Sequence, residues 1–194
     1  MKALQLKITI KGTKPPVWRT VNVPAAATFT DLDRIIRTVF AWKGDHLSMF
    51  QFKGWDITIL PACSDELDKD EVDGREYAIE SFFMMHEKIS YIYDFGDYWE
   101  HEIRVMDFVD DYPEDYPKMV RFRGSNFPED CGGVWGVEYL KSTLENPADP
   151  DYEKVLEIYD PAVYVMDRDQ VNAALADIHC QPGHKSIMDL MFHY

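Results

Sequence analysis

Tyr93-Asp94-Phe95-Gly96-Asp97-Tyr98-Trp99-Glu100-His101 brings two aspartates and a histidine into one short stretch. Carboxylates and an imidazole held together can bind a divalent cation, or pass protons as acid and base in a hydrolysis. Such chemistry requires that the chain fold back on itself here. Runs 88–94 and 97–105 are rich in aromatic and β-branched residues, and the Phe95-Gly96 pair between them supplies a residue that tolerates positive φ, so a tight hairpin is expected. With Phe95 and Gly96 as the turn, Asp94 faces Asp97, Ile92 faces Trp99 and Ser90 faces His101. Alternation places these six on one face with Ile103 and Val105, and Glu100, Glu102 and Arg104 on the other.

Carboxylates paired across strands about 5 Å apart repel, so a cation, an arginine or turn N–H groups should offset the pairing. Two aspartates that simply close the turn as Asx motifs are the competing explanation. For His101 the competing explanation is a core histidine bonded to a carbonyl or carboxylate, since no ligand partner accompanies it at fixed spacing. Pro128-Glu129-Asp130-Cys131-Gly132-Gly133 is the second place where chemistry could reside. It offers two carboxylates, a thiol and glycines that let backbone approach a ligand; otherwise it is a turn into a helix near Val134, capped by Asp130. Cys131 has no neighbouring base in sequence, although His46 or His101 could reach it in space.

Composition narrows the function classes. Thirty-five acidic against 20 basic residues leave a formal charge of −15, which on average repels nucleic acid, so a nucleic-acid partner is not expected. The small basic groups Lys7, Lys11, Lys14, Arg19 and Lys118, Arg121, Arg123 suit solvated surface. The acidic segment 65–73 suits a solvating loop. Counted from Asp68, it misses the EF-hand pattern by one position, with Val72, Asp73 and Ile79 where ligand, glycine and glutamate belong. Cys63, Cys131 and Cys180 are too widely spaced for a CxxC site and odd in number, which suits reduced thiols. No apolar run is long enough for a membrane span, and the lysines of the first eleven residues interrupt any signal-peptide core; a soluble cytoplasmic protein is expected.

The elements that must carry these groups follow from periodicity. Strands are expected near 2–11 and 17–23, split by Gly12 and Pro15-Pro16. A helix follows, with Thr28 as N-cap, Asp31 at N3 and the stripe Leu32, Ile35, Ile36, Val39, Phe40. Strands near 47–53 and 56–60, a short helix near 77–85 and the hairpin come next. Pro113, Pro117 and Pro128 break up the following stretch, after which three helical patterns return: Val137, Leu140, Leu144; then Tyr152 to Tyr159; then 168–178. The fold class is therefore α+β: a mainly antiparallel sheet in β-β-α-β-β order with a packed helix, followed by C-terminal helices. One domain over 1–194 is expected, sheet-rich over 1–110 and irregular then helical over 111–194. The apolar tail 187–194 suits a docked helix or a homodimer contact.

Several segments together, Pro16-Val17-Trp18-Arg19, Asp45-His46-Leu47-Ser48-Met49-Phe50, the hairpin stretch, Pro128 to Gly133 and Val171-Asn172-Ala173-Ala174-Leu175, resemble the Ri-plasmid open-reading-frame-three-like family from about residue 3 to 178. The resemblance implies an α+β fold from bacteria and archaea, with resolvase-like labels inherited from neighbouring mobile elements and no established catalytic residues. Many members are similar in carrying His-Leu-His where this chain has His46-Leu47-Ser48, so a metal site that needs the second histidine is absent here. The resolvase label finds no support in the residues: the first serine is Ser48, and His101 and Arg104 of a His-x-x-Arg would point to opposite faces of a strand.

Two functional classes remain. The preferred one is a binding module for a small ligand or protein, with Trp18, Trp42, Trp99 and Trp135 lining a groove beside Arg19 and the polar loops. The alternative is a metal-dependent or acid/base hydrolase in which Asp94, Asp97, His46, His101 and the Glu129, Asp130, Cys131 turn converge. No particular cofactor is implied.

Overall fold

The structure, a computed structural model, describes residues 1–62 and 67–191. Cys63, the 65–66 part of the acidic segment and the 192–194 end of the apolar tail lie outside the described residues. The chain runs β1 (Ala3–Ile10), β2 (Val17–Pro24), α1 (Phe29–Phe40), β3 (Ser48–Gln51), β4 (Thr58–Leu60), β5 (Glu71–Asp73), α2 (Ile79–Met85), β6 (Lys88–Tyr93), β7 (Trp99–Val109), β8 (Lys118–Arg123), then α3 (Gly133–Leu144), α4 (Tyr152–Ile158), α5 (Arg168–Ala176) and α6 (Ile187–Met191). The strands form one sheet in the order β5-β4-β3-β6-β7-β1-β2-β8. All neighbours are antiparallel except β4 and β5. The α+β class and the expected element order are both present.

Alternation in β1 explains why one sheet face is covered. Leu4, Leu6, Ile8 and Ile10 are buried, whereas Gln5, Lys7 and Thr9 are partly exposed. The buried row meets α1, whose Leu32, Ile35, Ile36, Val39 and Phe40 are all buried, each contributing roughly 1.5–3 kcal/mol. A reciprocal capping box starts α1: the Asp31 N–H donates to Thr28 Oγ1 at 3.1 Å and the Thr28 N–H to Asp31 Oδ2 at 3.1 Å. Ala41 ends the helix in the left-handed region at φ 57°.

The hairpin differs from expectation by one residue of register. Its strands stop at Tyr93 and resume at Trp99, and the partners are Tyr93 with Trp99, Ile92 with Glu100, Tyr91 with His101 and Ser90 with Glu102. Asp94 and Asp97 therefore do not face each other across a two-residue turn; both lie in a five-residue loop, 94–98. The loop is closed by the Tyr98 N–H on the Asp94 carbonyl at 2.7 Å, with positive φ at Asp94 and Tyr98. Gly96 does not supply the left-handed conformation; its N–H donates to Asp94 Oδ1 at 2.9 Å in an Asx turn. Trp99, His101 and Ile103 still point inward, but their partners on the covered face are Tyr93, Tyr91 and Ile89. A one-residue slip exchanges the faces of a whole strand.

Two strands were not anticipated. β8 fits between Pro117 and Pro128, and its edge is closed by a side chain: Asn172 on α5 accepts the Met119 N–H at 2.8 Å and donates to the Met119 carbonyl at 3.1 Å. β5 arises inside the acidic segment, where Val72 is buried and Gly74 accepts the N–H groups of Phe29 and Thr30. In the tail, Ile187 and Leu190 are buried within their own chain, with α6 against α2.

Candidate functional site

Loop 94–98 is the hub at one end of the sheet, because both of its aspartates reach other loops. The Asp97 carboxylate accepts the Cys131 N–H on Oδ2 and the Gly132 N–H on Oδ1, each at 3.0 Å. This negative charge at the start of α3 does the capping expected of Asp130, since no side chain of its own loop caps that helix. The approach explains the paired glycines. Gly133 sits at φ +63°, and a Cβ there would lie 2.1 Å from the Asp97 carbonyl oxygen. Close packing of two loops, not a ligand, uses that space.

Asp94 turns the other way, towards His46. The His46 ring lies between two carboxylates, with Nδ1 3.6 Å from Asp94 Oδ2 and Nε2 3.5 Å from Asp130 Oδ1. One ligand atom from each of His46, Asp94 and Asp130 falls within 4.8 Å of the others. Asp94 is buried, His46 half-buried and Asp130 exposed, so the group opens to solvent on the Asp130 side. His46 meets the Tyr93 ring edge-on at 5.7 Å. Tyr93 in turn donates its hydroxyl to Glu129 Oε1 at 2.5 Å and accepts the Gly44 N–H at 3.1 Å, while Glu129 Oε2 accepts the Lys43 N–H at 3.0 Å. Glu129 thus ties three segments together.

Ser48 lies away from this group. Its hydroxyl donates to Asp33 Oδ1 at 2.6 Å, beside the Tyr91 hydroxyl at 2.6 Å on the same oxygen. Asp33 Oδ2 holds Arg37, at 2.8 Å from Nε and 2.7 Å from Nη2.

The remaining predicted residues are placed apart. His101 is fully buried among Phe40, Trp42 and Tyr91, and among the described residues neither ring nitrogen has a hydrogen-bond partner of normal geometry, the nearest backbone groups being those of Tyr91 and Trp99. Burial pushes its imidazole down to about 3, so it stays neutral at physiological pH. The Cys131 thiol is pushed up to about 12, by burial first and then by the Asp97 charge, which leaves it protonated. Trp99 and Trp42 belong to the core, and Trp18 lies on the open sheet face beneath the Lys7 ammonium at 4.8 Å. The four tryptophans expected to line one groove are therefore dispersed. Arg19 is fully buried and, among the described residues, takes no carboxylate. Its guanidinium donates to the carbonyls of Val39, Trp18, Arg123 and Ser125 and to Asn126 Oδ1, and its carbon sits 4.9 Å from the Phe40 ring. Desolvation lowers it to about 9, which keeps it cationic at neutral pH.

On the far side of the Asp97 contact lies a cleft of about 640 Å³. It is walled by the turn after β1 (Lys11, Gly12, Lys14), by Asp97 and Tyr98 of the hairpin loop, by Glu100 of β7 and by Val134, Trp135 and Glu138 of α3. Trp135 is 87% exposed and Tyr98 54%. Lys11 is spent on Glu100 at 2.6 Å, whereas Lys14 has no ion pair among the described residues. Tyr98 and Val134 were not among the sequence candidates; their only local signal was adjacency to Asp97 and to the Gly132-Gly133 pair.

An eight-stranded, mostly antiparallel sheet with helices on one face, and loops gathered at the β6–β7 end, defines an α+β protein whose candidate sites sit on its connecting loops. The family model of the plasmid pRiA4b ORF-3-like proteins matches residues 2–174, and the chain belongs to that family. It is similar to the uncharacterized protein y4hQ of Sinorhizobium fredii (strain NBRC 101917 / NGR234), at 28% identity over 191 residues covering 94% of this chain and 95% of the relative. The crystal structure of MM3350 from Methanosarcina mazei Go1, a protein of unknown function, superposes with a TM-score of 0.75 at 28% identity, covering 87% of this chain and 97% of that one. Among the described residues, no helix is long and apolar enough to cross a membrane.

Proposed function

We propose that the protein is a binding module that acts through the Tyr98–Trp135 cleft and takes a small organic anion with a planar apolar part. The observation that carries this reading is Trp135, an indole 87% exposed on the wall of a cleft large enough for such a ligand. Aromatic surface left in water is costly unless something covers it, and the ammonium of Lys14 supplies a partner for a carboxylate. A non-catalytic role is supported by the state of three of the groups that a hydrolase would use: His101 has no access to solvent, Asp97 is spent on two backbone N–H groups, and the Cys131 thiol is protonated. A single folding unit is part of the proposal, supported by the larger of two apolar clusters, which runs from Leu4 to Leu190; the smaller holds Leu140, Val155 and Tyr159. Placement in the cytoplasm is supported by the free thiols of Cys131 and Cys180.

The test is a thermal-shift and tryptophan-fluorescence screen of the full chain against aromatic and heteroaromatic carboxylates, with Trp135→Ala alongside. At least one compound should raise the melting temperature and quench fluorescence in the parent protein, and both effects should vanish in the variant. If no compound in the panel shifts the parent, or if the shift survives Trp135→Ala, the reading is wrong.

A further inference from the structure

We infer that the outer face of the β1-β2-β8 part of the sheet docks a short acidic polypeptide segment, rich in aspartate or glutamate, supplied by a partner protein. This surface is separate from the Trp135 cleft and owes nothing to the reading of that cleft.

Strand pairing creates the surface. Lys7 is far in sequence from Lys118, Arg121 and Arg123, yet Lys7 lies opposite Thr20, Thr20 opposite Arg121, and Trp18 opposite Arg123. Directly paired residues share a face, and the alternation that turns Arg19 and Val21 inward turns Trp18, Thr20 and Asn22 outward. A register shift between Thr20 and Val21 takes up an extra residue of β8, so Lys118 and Arg121 both reach the outer face. Lys118, Arg121 and Arg123 are exposed, and Lys7 and Trp18 are half-buried.

Charge sets this face apart. Its outward positions carry the cations Lys7, Lys118, Arg121 and Arg123 and no carboxylate, in a chain with 35 acidic and 20 basic residues. The adjoining strands of the same face are neutralised: Lys88 is held by Glu102 at 2.7 Å, and Arg104 by Glu87 and Glu102. On the β1-β2-β8 part only Lys118 meets a carboxylate, Glu114 at 3.6 Å. Among the described residues Lys7, Arg121 and Arg123 have no ion pair. Lys7 rests instead on the Trp18 ring at 4.8 Å, with Arg104 directly across from it. Like charges side by side cost stability, and an anionic segment laid over them removes that cost.

The size and margin of the patch select the occupant. Strands about 4.8 Å apart and a rise of about 3.4 Å per residue bound it at roughly 10 by 15 Å, room for a few residues of extended polypeptide. Arginine pairs with carboxylates in bidentate fashion. Asp107, opposite Gln5, and Asp110 and Asp111 beyond it are exposed at the edge, where a nucleic-acid strand running on past the patch would meet them. Charges farther away than about 8 Å are screened at physiological salt, so the local excess, not the total of −15, acts on a short segment.

The test is fluorescence anisotropy of a labelled oligoglutamate peptide and of a labelled oligothymidylate of equal charge, each titrated with the full chain. The parent should bind the peptide, less tightly as salt rises, and the oligothymidylate more weakly. The double variant Arg121→Ala with Arg123→Ala should keep the parent's melting temperature, since both side chains are exposed, and lose more than about tenfold in peptide affinity. Lys7→Gln should weaken the peptide by a smaller factor. Lys154→Glu makes the same change in net charge at an exposed position on α4 and should bind as the parent does. So should Trp135→Ala, which tells a failure of this face from a failure of the cleft reading. The inference is overturned if the parent does not bind the peptide, if it binds the oligothymidylate more tightly, or if Lys154→Glu loses as much as the double variant. Self-association of the parent that the double variant abolishes would overturn it too, by making a second copy the occupant.

Discussion

Arg19 and the His46 group are both charged clusters beside the core, yet they are finished to different degrees. Arg19 has its guanidinium spent on four carbonyls and one amide oxygen, drawn from α1, its own strand, the last residue of β8 and the segment after it. Every donor has a partner and no ligand could enter. At His46 the two carboxylates stand off from opposite ring nitrogens at 3.5 and 3.6 Å, and Asp130 is exposed. A satisfied buried charge is scaffold, whereas an unsatisfied one at the surface is capacity to bind. The Pro-Val-Trp-Arg and Asp-His-Leu segments look equally promising as strings of letters, and only the accounting of partners separates them.

The contrast can be broken first at Arg19. Arg19→Met keeps most of the packing but strips hydrogen bonds from five buried or half-buried acceptors. A loss of roughly 3–5 kcal/mol in urea unfolding is expected. A loss below about 1 kcal/mol would mean that the buried cation is not scaffold.

His101 sharpens the comparison through pH. Its imidazole is near 3 in the folded chain against 6.5 when free, so between those values the unfolded state binds more protons. Its contribution to stability is complete above pH 6.5, falls as pH drops through that window and is gone below about 3. The expected loss is on the order of 5 kcal/mol. His101→Leu, which leaves no ring nitrogens to bury, should flatten that part of the pH–stability profile.

Asp97 tests the junction between the two candidate sites. Asp97→Ala leaves the N–H groups of Cys131 and Gly132 without an acceptor and should cost about 1–3 kcal/mol. The smallest effect belongs to Asp130→Asn, within about 0.5 kcal/mol of the parent, because its side chain faces water.

Parts of this molecule were legible because their causes are local. The capping box of Thr28 and Asp31 and the apolar stripe of α1 lie within one segment, and the structure reproduces them. The inward set Trp99, His101, Ile103 was also legible, since alternation along one strand needs no partner. What failed was register: a two-residue turn at Phe95-Gly96 was replaced by a five-residue loop held by Asp94, Leu47 and the α3 turn. β8 stayed hidden because its edge is closed by Asn172, 53 positions further along.

Residue order alone determined the α+β class, the cap and stripe of α1, and the fact that acidic groups and histidines flank a chain reversal; these depend on neighbours a few positions apart. Tertiary structure decided which of those groups meet. It sent His101 into the core, gave Asp97 to the backbone of a distant loop, and brought His46 and Asp130 to Asp94. The reason is that unpaired charge and unmade hydrogen bonds are settled by whatever the fold brings near, and contacts between residues 46, 94 and 130 leave no periodicity in the chain.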